Sequence, residues 1–203
     1  MQQDTKEQEQ HVLLTYLENH MDERFDDQSK HNTMPEKQVR ELLTLRDEDR
    51  DFQKLMLYYE CAMKEVMTKV QILNKELMLN NRRSRIEMIK SRLKKPRSIF
   101  EKMERLGIEF TVENIEDSLS DIAGVRVICS FVDDIYAVAD MLTRQDDVGV
   151  VMVKDYIRHP KENGYRSYHM IIEVPVFFSE QKQYMRVEVQ IRTIAMDFWA
   201  RTT

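Results

Sequence analysis

The sequence is poor in residues that break or bend a chain: its 203 residues hold only four Gly and four Pro. That scarcity argues against a sandwich or barrel of many tight turns and excludes collagen-like or linker-like character. Cysteine is scarcer still. Cys61 and Cys129 cannot build a disulfide framework or a four-ligand zinc site. No apolar run approaches the roughly 18 residues of a membrane span. The opening stretch, MQQDTKEQEQ, lacks the apolar core of a signal peptide. A reducing cytoplasm is therefore the expected location, with no membrane partner. Charge, in contrast, is plentiful at 33% of residues, beside 42% hydrophobic residues, enough to bury a core.

The formal net charge of -5 is unevenly spread. Residues 1–81 carry 11 basic and 17 acidic side chains, a net of -6. Residues 82–105 carry 10 basic and 3 acidic, a net of +7, and residues 106–203 carry 10 and 16, again -6. One concentrated basic segment in an acidic chain points to a local anionic ligand rather than a general nucleic-acid coat. It fits equally a solvated helix face whose Lys and Arg stems cover apolar surface.

Along the chain, Leu13, Leu14, Leu17, Met21 and Phe25 give residues 4–31 a weak helical stripe, broken near 31–35 by Pro35. Phe52, Met56, Tyr59, Met63, Val66, Val70, Leu73 and Leu77 are spaced 4-3-4-3-4-3-4, a heptad seam on one long helix. A stripe of that length packs against something. The candidates are its own domain, which is favoured over a free coiled coil, the 4–31 segment, or the same helix of a second subunit. A second helix is expected from Pro96 to Leu106, with Gly107 as its C-cap. Residues 122–129 read as a buried strand. Asp133 to Leu142 reads as a helix with Asp133 as N-cap candidate. Strands are expected at Val148–Val153, Arg166–Val174 and Tyr184–Ile191, the last two joined as a hairpin by a turn bounded by Pro175. Helices and strands in this order predict an α+β fold with one mixed sheet of four or five strands flanked by helices.

Three places could carry chemistry. In residues 187–192, side chains alternate, so Val187, Val189 and Ile191 face one way while Glu188, Gln190 and Arg192 face the other. Asn163-Gly164 marks a tight turn before Tyr165, Ser167 and His169, a ring, a hydroxyl and an imidazole expected on one strand face. Asp121 stands just before the first apolar strand. It is either an ordinary loop residue or, with Glu188, one of the two carboxylates that Mg²⁺ takes alongside phosphate oxygens and water. No zinc spacing, Walker loop, Rossmann glycine pattern or nucleophile elbow is present. Phosphate binding therefore falls to Arg and Lys side chains.

Six ordered stretches carry a resemblance. They are Ser91-Arg92-Leu93-Lys94 with Ser98-Ile99 and Lys102; residues 121–126, DIAGVR; residues 154–157, KDYI; residues 163–169, NGYRSYH; residues 188–193, EVQIRT; and residues 195–200, AMDFWA. Together, over about residues 85–200, they resemble the small alarmone synthetases, the single-domain members of the RelA/SpoT family. The resemblance implies a nucleotidyltransferase-like fold and transfer of pyrophosphate from ATP to the ribose 3′-hydroxyl of GTP or GDP, making pppGpp or ppGpp. It implies that Asp121 and Glu188 hold Mg²⁺ and that Glu188 is also the base. It implies Tyr165 stacking on guanine, Lys161 and His169 on the guanine nucleotide's phosphates, and Gln190 nearby. Arg92 and Arg126 would sandwich adenine, with Lys94, Ser98, Lys102 and Arg105 on the ATP phosphates. It further implies a homo-oligomer, while RNA stays open as a partner. Residues 1–45 fall outside the resemblance and are expected to be an N-terminal helical extension, with the synthetase domain over 46–203 and the family's C-terminal helices absent. Two other readings stay open: a catalytically impaired nucleotide- or RNA-binding module, and a same-fold enzyme that pyrophosphorylates tRNA 3′ ends.

Overall fold

The structure, a computed structural model, describes residues 46–81 and 84–202. The helical stripe of 4–31, its break and the expected extension over 1–45 lie outside the described residues. The elements in order are α1 (Arg46–Asn81), β1 (Ile86–Leu93), α2 (Pro96–Leu106), α3 (Val112–Ser118), β2 (Ala123–Cys129), α4 (Val132–Thr143), β3 (Gly149–Asp155), β4 (Tyr168–Phe177), β5 (Lys182–Thr193) and α5 (Ile194–Thr202). They divide into two compact units. One holds Lys95–Ser118 with the start of α1 up to Met56; the other holds Leu57–Lys94 and the chain from Leu119 onward.

In the first unit, Pro96 starts α2, where its missing N–H has no helical partner to lose. Gly107 ends the helix in the left-handed region at φ 67° and returns its N–H to the Glu104 carbonyl at 2.9 Å, so both expected ends are observed. Ile99, Met103 and Ile115 are buried, and the Phe110 ring lies 5.6 Å from Phe52 and 5.5 Å from Phe100. The seven-residue α3 was not expected; its first turn is tied by Thr111, whose hydroxyl accepts the Asn114 N–H at 3.2 Å.

The second unit is built on a five-stranded sheet of order β1-β2-β5-β4-β3. Only β2 and β5 run parallel; the other pairs are antiparallel. Val125, Val127, Val187, Val189, Ile191, Met170 and Ile172 are buried on one face, and helix α4 packs against β2 and β5. The expected hairpin is β4–β5, but Pro175 lies inside β4, opposite Tyr184, rather than at the turn. Pairing with β3 reaches no further along β4 than Glu173, so at Pro175 strand β4 has a neighbour on one side only, where a missing donor is tolerated. The turn itself is closed by the Phe178 N–H on the Gln181 carbonyl. A second correction concerns α4. Its N-cap is Phe131, with no side-chain cap bond, and Asp133 sits inside the first turn, where a carboxylate still meets the positive helix end. Its neighbour Asp134 is the buried one, 3.6 Å from Arg85.

On α1 the expected seam is buried at Phe52, Met56, Tyr59, Val66, Val70, Leu73 and Leu77. Met63 is half-buried, and Ala62 takes its place at the centre. Leu55 and Tyr58 are buried as well. That stripe is broader than a two-position coiled-coil seam, and the 4–31 segment, one of its expected partners, lies outside the described residues. In the second unit, Tyr58 packs on Phe178 at 4.4 Å between ring centroids, Lys69 pairs with Asp147 at 2.6 Å, and Ser84 donates to Asn74 at 3.1 Å.

Candidate functional site

The side of the sheet opposite the buried valines carries the chemistry, and strand register puts it there. Arg92 on β1 lies opposite Gly124 on β2, and Gly124 opposite Glu188 on β5. Arg126 lies opposite Gln190, and Gln190 opposite His169 on β4. Directly opposed residues share a face, so Arg92, Arg126, Glu188, Gln190 and His169 stand together. Gly124 brings no side chain, which leaves the space between Arg92 and Glu188 open. Arg92 and Arg126 are diagonal neighbours, a spacing of about 7–8 Å.

Glu188 is held by its neighbours. One carboxylate oxygen lies 3.4 Å from His169 Nδ1, and the other accepts the Gln190 amide at 3.0 Å. Burial pushes the carboxyl up, but the His169 hydrogen bond and charge, with the Gln190 amide, outweigh it, and the group sits below the ordinary glutamate value. Asp121 opposes that shift with its own negative charge, so the two carboxylates sense each other. Asp121 is paired with Lys94 at 2.7 Å, and the Lys94 N–H holds the Ile122 carbonyl at 2.7 Å, anchoring the approach to β2. Among the described residues no group of three or more His, Cys, Asp or Glu gathers as a metal site. Two hard oxygen donors remain, the number Mg²⁺ takes when substrate phosphates and water complete its shell. The residues present therefore fit that ion.

Tyr165 and His169 meet, the Tyr165 hydroxyl lying 2.8 Å from His169 Nε2, but β4 begins only at Tyr168, so Tyr165 and Ser167 lie in the loop before it rather than on one strand face with His169. Their partner Ser167 is buried and faces β5, taking the Arg192 Nε–H at 3.3 Å. The turn before them closes with the Gly164 N–H on the Lys161 carbonyl, and Gly164 adopts φ 79°. A side chain there would be strained, and its Cβ would sit 3.6 Å from Trp199. Lys161 lies over Tyr165 at 5.1 Å and over Tyr156 at 4.9 Å. Tyr156 also packs edge-on to Tyr165 and His169, at 5.9 Å and 5.3 Å. Behind this group Asp155 accepts the Ile157 and Arg158 N–H groups at 2.9 and 3.0 Å and the Tyr136 hydroxyl at 3.0 Å. Burial raises the Asp155 carboxyl, but those bonds win and it sits below its ordinary value.

The sequence places Arg192 on this face and Tyr156 and Asp197 in two of the ordered stretches, but assigns none of the three a role. Arg192 is nearly fully buried. Its guanidinium bonds the Tyr165 hydroxyl, the Gln190 oxygen at 2.9 Å and Asp197 at 3.4 Å, and lies 5.1 Å from the Tyr165 ring centre. The signal was available in the alternation of 188, 190 and 192. Ser98, Lys102 and Arg105 share one flank of α2 at helical spacing, in the first unit, apart from the buried Ile99 and Met103.

Known proteins resemble this chain in sequence and fold. The pattern of the region found in RelA / SpoT proteins matches residues 91–203. The GTP pyrophosphokinase YwaC of Bacillus subtilis is 47% identical over 150 residues, covering 74% of this chain and 71% of that protein. The GTP pyrophosphokinase YjbM of the same organism is 38% identical over 153 residues, covering 75% and 71%. Small alarmone synthetase 2 from Bacillus subtilis superposes with a TM-score of 0.67 at 45% identity, over 75% of this chain and 77% of that one. Small alarmone synthetase 1 from the same organism, bound to its product pppGpp, gives 0.68 at 37%, over 75% and 78%. The matched stretch runs from the end of β1 through every other strand to α5, and with it the carboxylates, arginines and rings of the described face: the chain belongs to the RelA/SpoT family.

Proposed function

We propose that the chain transfers the pyrophosphoryl group of ATP to the ribose 3′-hydroxyl of GTP or GDP, making pppGpp or ppGpp. The 3′-oxygen attacks the β-phosphorus, the bond from that phosphorus to the α-bridging oxygen breaks, and AMP leaves. Glu188 takes the hydroxyl proton. The observation that carries this reading is an ionised, half-buried carboxylate beside Asp121, on a sheet face that also presents Arg92, Arg126 and Tyr165.

Transfer of this kind asks for positioning and charge neutralisation more than covalent help. Arg92 and Arg126 stack on adenine through guanidinium planes that stay charged. Tyr165 stacks on guanine; Lys161 and His169 meet the phosphates of that nucleotide, and Gln190 orients the base through its amide. Lys94 serves the ATP phosphates. On resemblance alone, Ser98, Lys102 and Arg105 are assigned to them as well. Asp121 and Glu188 would hold Mg²⁺, which would supply neutralisation of phosphate charge. No helix among the described residues is long and apolar enough to cross a membrane, and we place the reaction in the cytoplasm, carried out by a homo-oligomer. Incubation with labelled ATP plus GDP, GTP or tRNA tests the reading. Labelled guanosine pentaphosphate or tetraphosphate with equimolar AMP is expected. Label on tRNA alone, or none at all, overturns it.

A further inference from the structure

We propose that Asp197 is a positioning residue that couples the two nucleotide subsites, so that filling one tightens the other. The inference rests on the assignments of Arg126 to adenine and Tyr165 to guanine made above. Asp197, in the first turn of α5, is almost completely buried. A single oxygen, Oδ1, takes a hydrogen bond from each of two guanidiniums: Arg126 Nη1 at 3.3 Å and Arg192 Nη1 at 3.4 Å. The first comes from the adenine side of the face. The second grips the Tyr165 hydroxyl and lies against its ring. One carboxylate thus ties the donor side to the acceptor side.

Both bonds are long for charge-assisted pairs, which run to about 2.9 Å. Because both guanidiniums bond one oxygen, the position of Asp197 is set jointly by Arg126 and Arg192. When adenine fixes the plane of Arg126, Asp197 is fixed with it, and so are Arg192 and the Tyr165 ring. The ordering cost is then met once, and the second nucleotide meets less of it. The same chain reaches the base. Arg192 Nη2 holds the Gln190 oxygen at 2.9 Å, which turns the amide nitrogen toward Glu188 at 3.0 Å. Ordering of Arg192 therefore also orders the group that accepts the proton.

Calorimetric binding of GDP and of the non-hydrolysable analogue AMPCPP, each alone and with the other saturating, measures the coupling. In wild type each nucleotide is expected to tighten the other by about five-fold or more, within the range of known site couplings. By reciprocity the two factors must agree. Asp197→Asn keeps the shape and an acceptor oxygen but removes the charge, and the factor should fall to within about two-fold of unity. Tyr165→Phe keeps the ring and deletes the hydroxyl that Arg192 holds, and should lower the factor likewise; it keeps the test alive if the Asp197→Asn variant does not fold. Undiminished coupling in either folded variant overturns the proposal, and so does wild type that binds both nucleotides without coupling. Wild type that binds neither overturns the functional reading, and the coupling with it.

Discussion

Glu188 is the residue at which burial and partners compete most plainly. Burial favours the neutral acid; His169 and Gln190 favour the anion and prevail. The sign follows. A folded value below the unfolded one leaves the base ionised at neutral pH. Its contribution to stability is present above the unfolded pKa and is lost only as pH falls through the folded one. Glu188→Gln should cost synthesis about 100-fold, the lower end for a positioned base, with nucleotide affinity largely kept; steady-state rates and equilibrium binding check both halves. His169→Asn removes the largest stabiliser of the anion and leaves burial in place. The acid limb of its pH–rate profile should move to higher pH than in wild type, and an unmoved limb would remove His169 from the role. Glu188, Gln190 and Arg192 were legible as one face because a strand alternates strictly. That His169 reaches Glu188, and Arg192 reaches Tyr165, was not legible: these contacts join residues 19 and 27 positions apart across strand pairs.

Among the elements, strand β1 escaped the sequence reading. A register shift between Ile86 and Met88 breaks its alternation, and as an edge strand it leaves Met88 and Arg92 exposed. Of the basic segment 82–105, read as a helix face or an anion site, Lys90 and Arg92 lie on that strand and Arg97, Lys102 and Arg105 on α2. Helix α1 fared better, since eight apolar positions at helical spacing define a stripe whatever covers it. The centre of the stripe differs from the expected seam, because a straight helix at 3.6 residues per turn drifts from a 3.5 repeat. Val66→Glu places an unpaired charge at a fully buried site and should cost about 3–5 kcal/mol, a fall of roughly 10 °C or more in Tm. Met63→Glu, half-buried, should cost clearly less. Melting curves of the two decide it, and equal losses would mean that Met63 lies as deep as Val66.

For the whole molecule, each carboxylate of the proposed metal pair already has a partner: Lys94 for Asp121, and the His169 ring with the Gln190 amide for Glu188. The fold therefore does not need a divalent ion to offset them. Chelation should abolish synthesis, Mg²⁺ should restore it, and Tm should change by no more than a few degrees. A large loss of Tm on chelation would show the metal to be structural. Light scattering on the same samples checks the proposed oligomer.

Local chemistry was enough to determine several features from the sequence alone. Pro96 and Gly107 bound a helix because their backbone preferences act within one turn. The largely apolar stretch at 123–129 and the alternating one at 187–191 are strands because branched residues suit a pleated, buried surface, and an ordered set of short motifs marked the family. Only the tertiary structure decided which strands adjoin. The parallel pairing of β2 with β5 sets Gly124 beside Glu188 and Arg126 beside Gln190, across 64 positions of chain. Sequence periodicity fixes which face a side chain takes, but neighbours across a sheet are chosen by how the two buried faces pack, a sum over the whole core that no local pattern contains.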